Sequence, residues 1–307
     1  MKTRGRLALC LLLTAGLIIL LLDSSGARAA MQGALLLCYR SVIPSLFPFL
    51  VVSSLLLSLG FGSFFSQPLE GLMRPLFGVG GAGASAVILG LVGGYPVGAR
   101  SAAELYRNHL LTREEAERLL ASCNNSNPAF LISVLGIGIF GSARVGVWLW
   151  LIHLLSALLA GLLFRGTGRR RPPPVRGRQR GGAVDISLPT AIVTSIQGSL
   201  TAILNICAFV AFFYVLVQPL KAIGGVLGTL LVGLTELFSV TPLLTPDRTG
   251  FLLAAGLSGW GGISVLCQTL AVLSGSGLSA RNCLRGKAVQ GLLSALLALL
   301  LSSYILP

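Results

Sequence analysis

The sequence predicts an all-α, polytopic membrane protein with two related halves that contain broken or re-entrant helices. Hydrophobic residues make up 54% of the 307 residues and charged residues 10%, whereas soluble domains carry roughly a quarter charged residues. Apolar runs recur on both sides of a basic segment, and 307 residues leave room for about eight to ten spans. Clusters of glycine, proline and asparagine interrupt these runs. Hydrocarbon tolerates such breaks only where protein or water satisfies the backbone.

Residues 1–30 form an anchor or a signal-like segment. A basic start precedes an apolar run from Leu7 to Leu22, and Ala27-Arg-Ala-Ala30 then resembles a signal-peptidase site. The run is at the long end for a signal peptide, which favours an uncleaved anchor.

A basic, proline-rich linker at residues 165–186 separates the halves, 31–164 and 187–307. Seven of the 23 lysines and arginines lie between Arg165 and Arg180, which explains much of the net charge of +14. The positive-inside rule places this linker in the cytoplasm, as a topology determinant or a binder of anionic lipid headgroups. It lacks the aromatic or base-reading residues that nucleic-acid binding needs.

The first half has several interruptions. Pro44 and Pro48 are expected to kink the span 34–60 or to turn a hairpin within it. A second apolar run, 84–92, breaks at Gly93-Gly-Tyr-Pro96. Thr112 and Glu115 form a capping box that predicts a helix from Arg113 to Ser122. Two spans follow, at 129–141 and 145–164.

The second half repeats this pattern. Spans are predicted at 191–217, 223–244 and 288–304, with a broken span at 250–272. Gly90-Leu-Val-Gly-Gly-Tyr-Pro96 aligns with Gly256-Leu-Ser-Gly-Trp-Gly-Gly262. Paired breaks of this kind mark the binding site of inverted-repeat transporters. If the N-terminus and the linker are both cytoplasmic, an even number of crossings must separate them, whereas the sequence has five apolar segments there. One segment must therefore be re-entrant, or the first must be removed. The Gly93 break is a natural turning point.

Polar residues at the breaks are the candidate binding residues. Glu236 is the only carboxylate deep in an apolar segment, where ionisable groups usually line a cavity or an ion path. The asparagine run supplies amides that both donate and accept. The predicted solute-binding residues are Gly94, Tyr95, Pro96, Asn124, Asn125, Ser126, Asn127, Glu236, Ser258, Gly259, Trp260 and Gln268.

Each candidate also has a structural interpretation. Glu236 has Thr235, Ser239 and Thr241 as neighbouring donors, and the asparagine run can cap the span that begins at Pro128. Tyr95 and Pro96 can serve to turn the chain. For His153, a hydrogen bond to a neighbouring helix is favoured over a proton relay.

No catalytic, metal or cofactor site is predicted. The six cysteines form no Cys-x-x-Cys pair and read as small buried hydrophobes rather than disulfide partners. Gly256-Leu-Ser-Gly259 matches the motif of rhomboid-like proteases, whose histidine base follows the serine. Both histidines here, His109 and His153, precede it.

The motifs resemble the YlbJ-type family of sporulation integral membrane proteins. The resemblance rests on Pro44-Ser-Leu-Phe-Pro-Phe49, Gly93-Gly-Tyr-Pro-Val-Gly-Ala99, Leu111 to Leu119, Cys123-Asn-Asn-Ser-Asn-Pro128, Leu234-Thr-Glu-Leu237, and Gly256 to Ser264 with Gln268. It covers nearly the whole chain apart from the linker. That family is similar to the nucleoside-recognition, or Gate, domain of nucleoside and ferrous-iron transport proteins. The resemblance implies a role in spore cortex formation and fixes no substrate.

The sequence therefore predicts a multi-pass protein of the bacterial cell membrane that transports or gates a small polar solute, nucleoside-like or other, during endospore formation. The expected partners are the lipid bilayer, the solute and a coupling cation. The sequence leaves open whether the chain forms a homo-oligomer, and nucleic acid is not an expected partner. The alternative is a non-transporting scaffold for spore-envelope assembly.

Overall fold

The computed structural model describes residues 3–60, 64, 67–166 and 187–306, and every regular element in these ranges is helical. The predicted all-α class is therefore confirmed. The helices of the first half are α1 (Thr3–Leu22), α2 (Ser24–Leu37), α3 (Ile43–Ser58), α4 (Glu70–Phe77), α5 (Ala84–Gly93), α6 (Val97–Arg107), α7 (Arg113–Leu119) and α8 (Ala143–Phe164). Those of the second half are α9 (Leu188–Leu216), α10 (Gln218–Lys221), α11 (Gly225–Thr235), α12 (Arg248–Trp260), α13 (Ile263–Leu273) and α14 (Arg281–Ile305).

The chain is a multi-pass membrane protein. Within the described residues, five helices are long and apolar enough to cross a membrane: Ser24–Leu56, α8, α9, Arg248–Leu273 and α14. A sixth candidate, α4 with Gly81–Gly93, bends by 84°. These candidates are fewer than the eight to ten spans for which the chain has room, because several apolar runs form short helices and turns.

Two predicted spans have other structures. Residues 129–141 contain a short π-helical segment, Phe130–Ile137, that folds back on α8. A Cβ on Gly136 would come 2.3 Å from the Cα of Gly146. The two segments can therefore touch because both positions are glycine. Within the predicted span 223–244 the helix ends at Thr235, because the backbone of Glu236 is extended.

The N-terminal elements are nearly continuous. α1 covers the predicted apolar run, and the carboxylate of Asp23 accepts from the Gly26 amide at the start of α2. Pro44 and Pro48 do not turn a hairpin. A π-helical turn, Cys38–Val42, precedes Pro44 inside the span Ser24–Leu56. This wider turn can accommodate a proline that lacks an amide proton.

The capping box at Thr112 is confirmed. The Glu115 amide donates to the Thr112 hydroxyl at 3.2 Å, and the Thr112 amide donates to the Glu115 carboxylate at 2.9 Å. α7 ends at Leu119, three residues earlier than predicted. Most of the basic linker, residues 167–186, lies outside the described residues.

Helices from the two sides of the linker pack together. α12 packs along α14, which also packs on α8, while α3 packs on α9 and α6 on α13. Glycines bring α12 and α14 close: a Cβ on Gly259 would come 2.9 Å from the Cα of Gly291. That the two halves are related copies stays a prediction.

Candidate functional site

The first helix break is a tight turn between α5 and α6. α5 ends at Gly93, and Gly94 has a φ of +79°, which residues with a Cβ rarely adopt. A Cβ on Gly90 or on Gly98 would come 1.7 Å from the carbonyl oxygen of Cys123. Both helices therefore close on this carbonyl, and the chain makes the hairpin that the sequence predicted. The peptide bond between Tyr95 and Pro96 is cis.

The second helix break separates α12 from α13, as predicted for residues 250–272. α12 ends at Trp260, and Gly261 and Gly262 have φ values of +89° and +91°. The indole Nε1 of Trp260 donates to the Leu234 carbonyl at 2.9 Å, which holds the end of α12 against α11. This break lies inside a single candidate span, Arg248–Leu273.

The two breaks meet at the Tyr95 side chain. Its hydroxyl donates to the Ser258 carbonyl at 3.2 Å, and the Ser126 hydroxyl donates to the same carbonyl at 3.4 Å. Helix ends leave carbonyls without an intrahelical partner, and here two side chains from the first half supply donors. A Cβ on Gly261 would come 2.8 Å from the Tyr95 hydroxyl oxygen, so only glycine leaves room for this contact.

The asparagine run passes through the same buried region. Asn124 donates through Nδ2 to Thr269 Oγ1 at 2.8 Å, which joins the run to α13. Asn125 donates through Nδ2 to the Ser122 carbonyl at 2.7 Å. Both asparagines are at most 1% exposed, as is Asn127.

Asn127 has the capping role that the sequence allowed. Its Oδ1 accepts from the Phe130 amide at 2.8 Å, at the start of the π-helical segment, and its Nδ2 donates to the Ser45 carbonyl at 3.1 Å. Asn127 therefore ties this segment to α3. Its predicted role as a solute ligand stays a prediction.

Sequence reasoning missed two residues of this region, Lys287 and Gln290 on α14. The Lys287 ammonium is 1% exposed and donates to the Asn124 carbonyl at 3.0 Å and to Gln290 Oε1 at 2.7 Å. It also lies 5.0 Å from the centre of the Tyr95 ring. Lys287 takes part in none of the four ion pairs found among the described residues.

Gln290 and His153 connect α14 and α8 to the asparagine run. Gln290 donates through Nε2 to Asn125 Oδ1 at 3.0 Å, and the Ser126 amide donates to His153 Nε2 at 3.2 Å. His153 thus bonds to a neighbouring segment, as the sequence favoured. The missed signal was spacing: Gly286, Gln290 and Ser294 recur every four residues and mark one buried face of α14.

Several buried polar atoms in this region have no hydrogen-bond partner among the described residues. They are Ser122 Oγ, Asn124 Oδ1, His153 Nδ1 and Ser258 Oγ. An unsatisfied buried polar group costs about 1–3 kcal/mol. All four atoms belong to residues of the asparagine run, α8 or α12.

Glu236 is fully buried, and its carboxylate bonds to its own turn. Oε1 accepts from the Phe238 amide at 3.1 Å, and Oε2 accepts from the Ser239 amide. A carboxylate held by two backbone amides stabilises the turn after α11. Glu236 still lies at the second break, because a Cβ on Gly262 would come 3.5 Å from its Cα.

A narrow cleft opens beside Tyr95. Ser126, Asn127 and Gln268 line it together with apolar side chains such as Phe130 and Phe238. It has room for about a single water molecule. A nucleoside-sized solute would therefore require the surrounding helices to move apart.

The predicted site residues thus fall into four groups. Five of them form one hydrogen-bonded region: Tyr95, Asn124, Asn125, Ser126 and Ser258. Asn127 and Gln268 line the cleft beside this region. Gly94, Pro96 and Gly259 shape the backbone or the helix packing. Trp260 and Glu236 bond to the backbone around α11. Among the described residues no group of three or more histidines, cysteines or acidic residues is placed to hold a metal ion.

Comparison with known proteins gives two matches and one negative result. Residues 39–145 match the family model "Gate: Nucleoside recognition". A stretch of 150 residues is 36% identical to the sporulation integral membrane protein YlbJ of Bacillus subtilis (strain 168), and it covers 49% of this chain and 37% of that protein. The match thus spans little more than a third of the relative's length. No solved structure matches.

Proposed function

We propose that this chain, which is related to the YlbJ-type sporulation integral membrane proteins, binds a small polar solute between its two helix breaks and gates its passage across the membrane during endospore formation. The bond between the Tyr95 hydroxyl and the Ser258 carbonyl carries the proposal, because it joins the two breaks directly. Non-helical backbone at membrane depth is tolerated where it is enclosed by protein or lines a cavity. Transporter sites are commonly built from such interrupted helices.

The polar groups around this contact support binding of a solute. Asn124 Oδ1 and Ser258 Oγ are buried, lack a partner among the described residues, and come from the two halves of the chain. A solute with donors and acceptors, such as a nucleoside, would satisfy them. The name of the matching family model, nucleoside recognition, is consistent with this solute class.

The closed cleft supports gating. Room for about one water at Tyr95 means that the described conformation excludes larger solutes. Opening requires the α5–α6 hairpin to move relative to α12, and the contacts of the Ser258 carbonyl hold these elements together. Among the described residues, the bond from Tyr95 joins the hairpin to this carbonyl, and the bond from Ser126 joins the asparagine run to it.

We assign the chain no catalytic step. A serine protease needs its nucleophile hydrogen-bonded to a base. Among the described residues, the Ser258 hydroxyl has no hydrogen-bond partner, and His153 Nε2 accepts from the Ser126 amide instead.

The Tyr95→Phe variant separates a gated transporter from a scaffold. It removes one hydroxyl, while Ser126 still donates to the Ser258 carbonyl, so the fold retains its packing. The matched control is Tyr304→Phe, since the Tyr304 side chain is 68% exposed. Each allele replaces the wild-type gene in the host, and heat-resistant spores and membrane-bound protein are measured.

If the chain is a gated transporter, Tyr95→Phe should reduce the yield of heat-resistant spores at least tenfold while the amount of the protein in the membrane stays normal. Tyr304→Phe should behave like the wild type. Normal spore yield with Tyr95→Phe at normal abundance would overturn the gating proposal and favour a scaffold.

A further inference from the structure

A groove larger than the central cleft lies between α6, α9 and α13. Its volume is about 290 Å³, and its lining includes Arg100 and Arg107 of α6, Thr201 and Asn205 of α9, and Gln268 of α13. A water molecule occupies about 30 Å³ of liquid, so the groove has space for several waters. Its walls carry charged, amide and hydroxyl groups.

α9 presents polar residues at a depth where a membrane helix normally faces lipid. Thr194, Gln197, Thr201 and Asn205 are all exposed and recur every three to four residues along one face of α9. Asn205 lies more than ten residues from either end of this helix, which is about 15 Å. The side-chain amides of Gln197 and Asn205 take part in none of the hydrogen bonds found among the described residues. Amides at this depth need water or protein, because hydrocarbon cannot bond to them.

α6 gives the groove a direction. Its first residues adjoin the Gly94–Pro96 turn in the interior, and its last residues lead to the charged helix α7. Arg100 and Arg107 are two turns apart, which is about 10 Å along the helix. The guanidinium of Arg100 faces α9 at Gly198, where a Cβ would come 3.9 Å from it. Charged side chains therefore follow the groove from the charged surface toward the break.

The groove and the cleft share a wall. Ile206 and Gln268 line both of them, so these two side chains form a wall common to the groove and to the cleft that holds Tyr95 and Ser126. The side chain of Gln268 has one weak hydrogen bond, from Nε2 to Ser264 Oγ at 3.5 Å. Among the described residues, a change of the Gln268 rotamer therefore breaks only this one side-chain hydrogen bond.

We infer that this groove is the aqueous path by which solute reaches the junction, and that Gln268 is the gate between groove and cleft. The inference rests on the proposed function for the identity of its cargo, a small polar solute. It adds the route and the gating side chain. Arg100, Thr201 and Asn205 line the route, and none of them was a candidate from the sequence.

Thiol labelling tests whether the groove holds water. Asn205→Cys is compared with Leu204→Cys, because Leu204 is the next residue, is 59% exposed and lies outside the groove lining. Membranes are treated with a charged, membrane-impermeant methanethiosulfonate, and modification of each introduced cysteine is measured by mass spectrometry of its peptide. Fragmentation of each peptide separates the new cysteine from native Cys207, which lies two or three residues away in the same peptide.

A water-filled path predicts that Asn205→Cys reacts at least tenfold faster than Leu204→Cys. Equal rates, or no reaction at Asn205→Cys, would overturn the path. A disulfide between two copies of Asn205→Cys with no labelling would show that a second chain covers the groove, and this also overturns it.

The gate is tested with Ser126→Cys, which lies beyond Gln268 in the cleft. Adding Gln268→Ala should increase its labelling rate at least fivefold, and an unchanged rate would overturn the role of Gln268. Labelling requires no solute movement. A failed labelling test therefore leaves the proposed function standing, whereas normal sporulation with Tyr95→Phe would overturn that function without affecting the labelling result.

Discussion

The Lys287 ammonium lies 5.0 Å from the centre of the Tyr95 ring, so a buried cation of the last helix contacts the turn of the first break. A cation over an aromatic face is stabilised, and more strongly when both are removed from water. Two neutral oxygens, the Asn124 carbonyl and Gln290 Oε1, accept from the same ammonium. The first half and α14 thus share a junction that is organised around the Lys287 side chain.

Gln290→Leu tests this arrangement. It removes an acceptor from Lys287 Nζ and a donor from Asn125, and a buried polar group that loses its partner costs about 1–3 kcal/mol. We expect the free energy of unfolding in detergent to fall by about 2–4 kcal/mol. The control, Gln197→Leu on α9, should change it by less than about 0.5 kcal/mol. Similar stability of the two variants would contradict the shared network.

Gly98→Ala tests the closeness of the α5–α6 hairpin. Its Cβ would come 1.7 Å from the Cys123 carbonyl oxygen, so the backbone must shift. Overpacking of this kind typically costs about 1–3 kcal/mol, and we expect at least that loss in thermal unfolding. Gly71→Ala is the matched control, because nothing lies within 4 Å of the Cβ that alanine would add there and alanine favours helix. The account is wrong on this point if Gly98→Ala is as stable as Gly71→Ala.

Asn127 variants distinguish capping from solute binding. Loss of an N-cap costs about 0.5–2 kcal/mol, so Asn127→Ala should lower the melting temperature. Asn127→Ser retains a capping oxygen and should recover most of that stability and the spore yield. If Asn127→Ser is stable yet fails in sporulation, the amide acts on the solute as well as on the helix.

Glu236→Gln tests the local role of the buried carboxylate. Glutamine has one acceptor oxygen, so one of the two amides, Phe238 or Ser239, loses its partner. We expect a loss of about 1–3 kcal/mol in unfolding free energy. Glu114→Gln, at a side chain that is 85% exposed, should be neutral. Unchanged stability together with altered cation dependence of sporulation would instead identify Glu236 as an ion ligand.

The sequence predicted the elements whose signals are local. Glycine pairs located both breaks, the Thr112–Glu115 box located α7, and the asparagines that enter the junction were identified from composition. Lys287 was missed because the predicted span began at residue 288, whereas packing on α8 and α12 already buries one face of α14 from Cys283. The residues 223–244 read as one span because a hydropathy pattern does not reveal that the Glu236 carboxylate bonds to its own turn.

Pairings across long sequence separations had no local signal either. The contact of Tyr95 with Ser258 and that of Gln290 with Asn125 join positions more than 160 residues apart. Such contacts depend on how α5–α6, α12 and α14 pack. Neither periodicity nor capping rules determine that packing.

The central claim is that the Tyr95–Ser258 junction controls passage of a small polar solute. The most direct measurement compares the small-molecule contents of forespore and mother cell in sporulating strains that carry the wild-type chain, Tyr95→Phe or Tyr304→Phe. The account predicts that the distribution of one polar solute between forespore and mother cell changes with Tyr95→Phe alone. Identical contents in all three strains, with the variant present at normal abundance in the membrane, would contradict it.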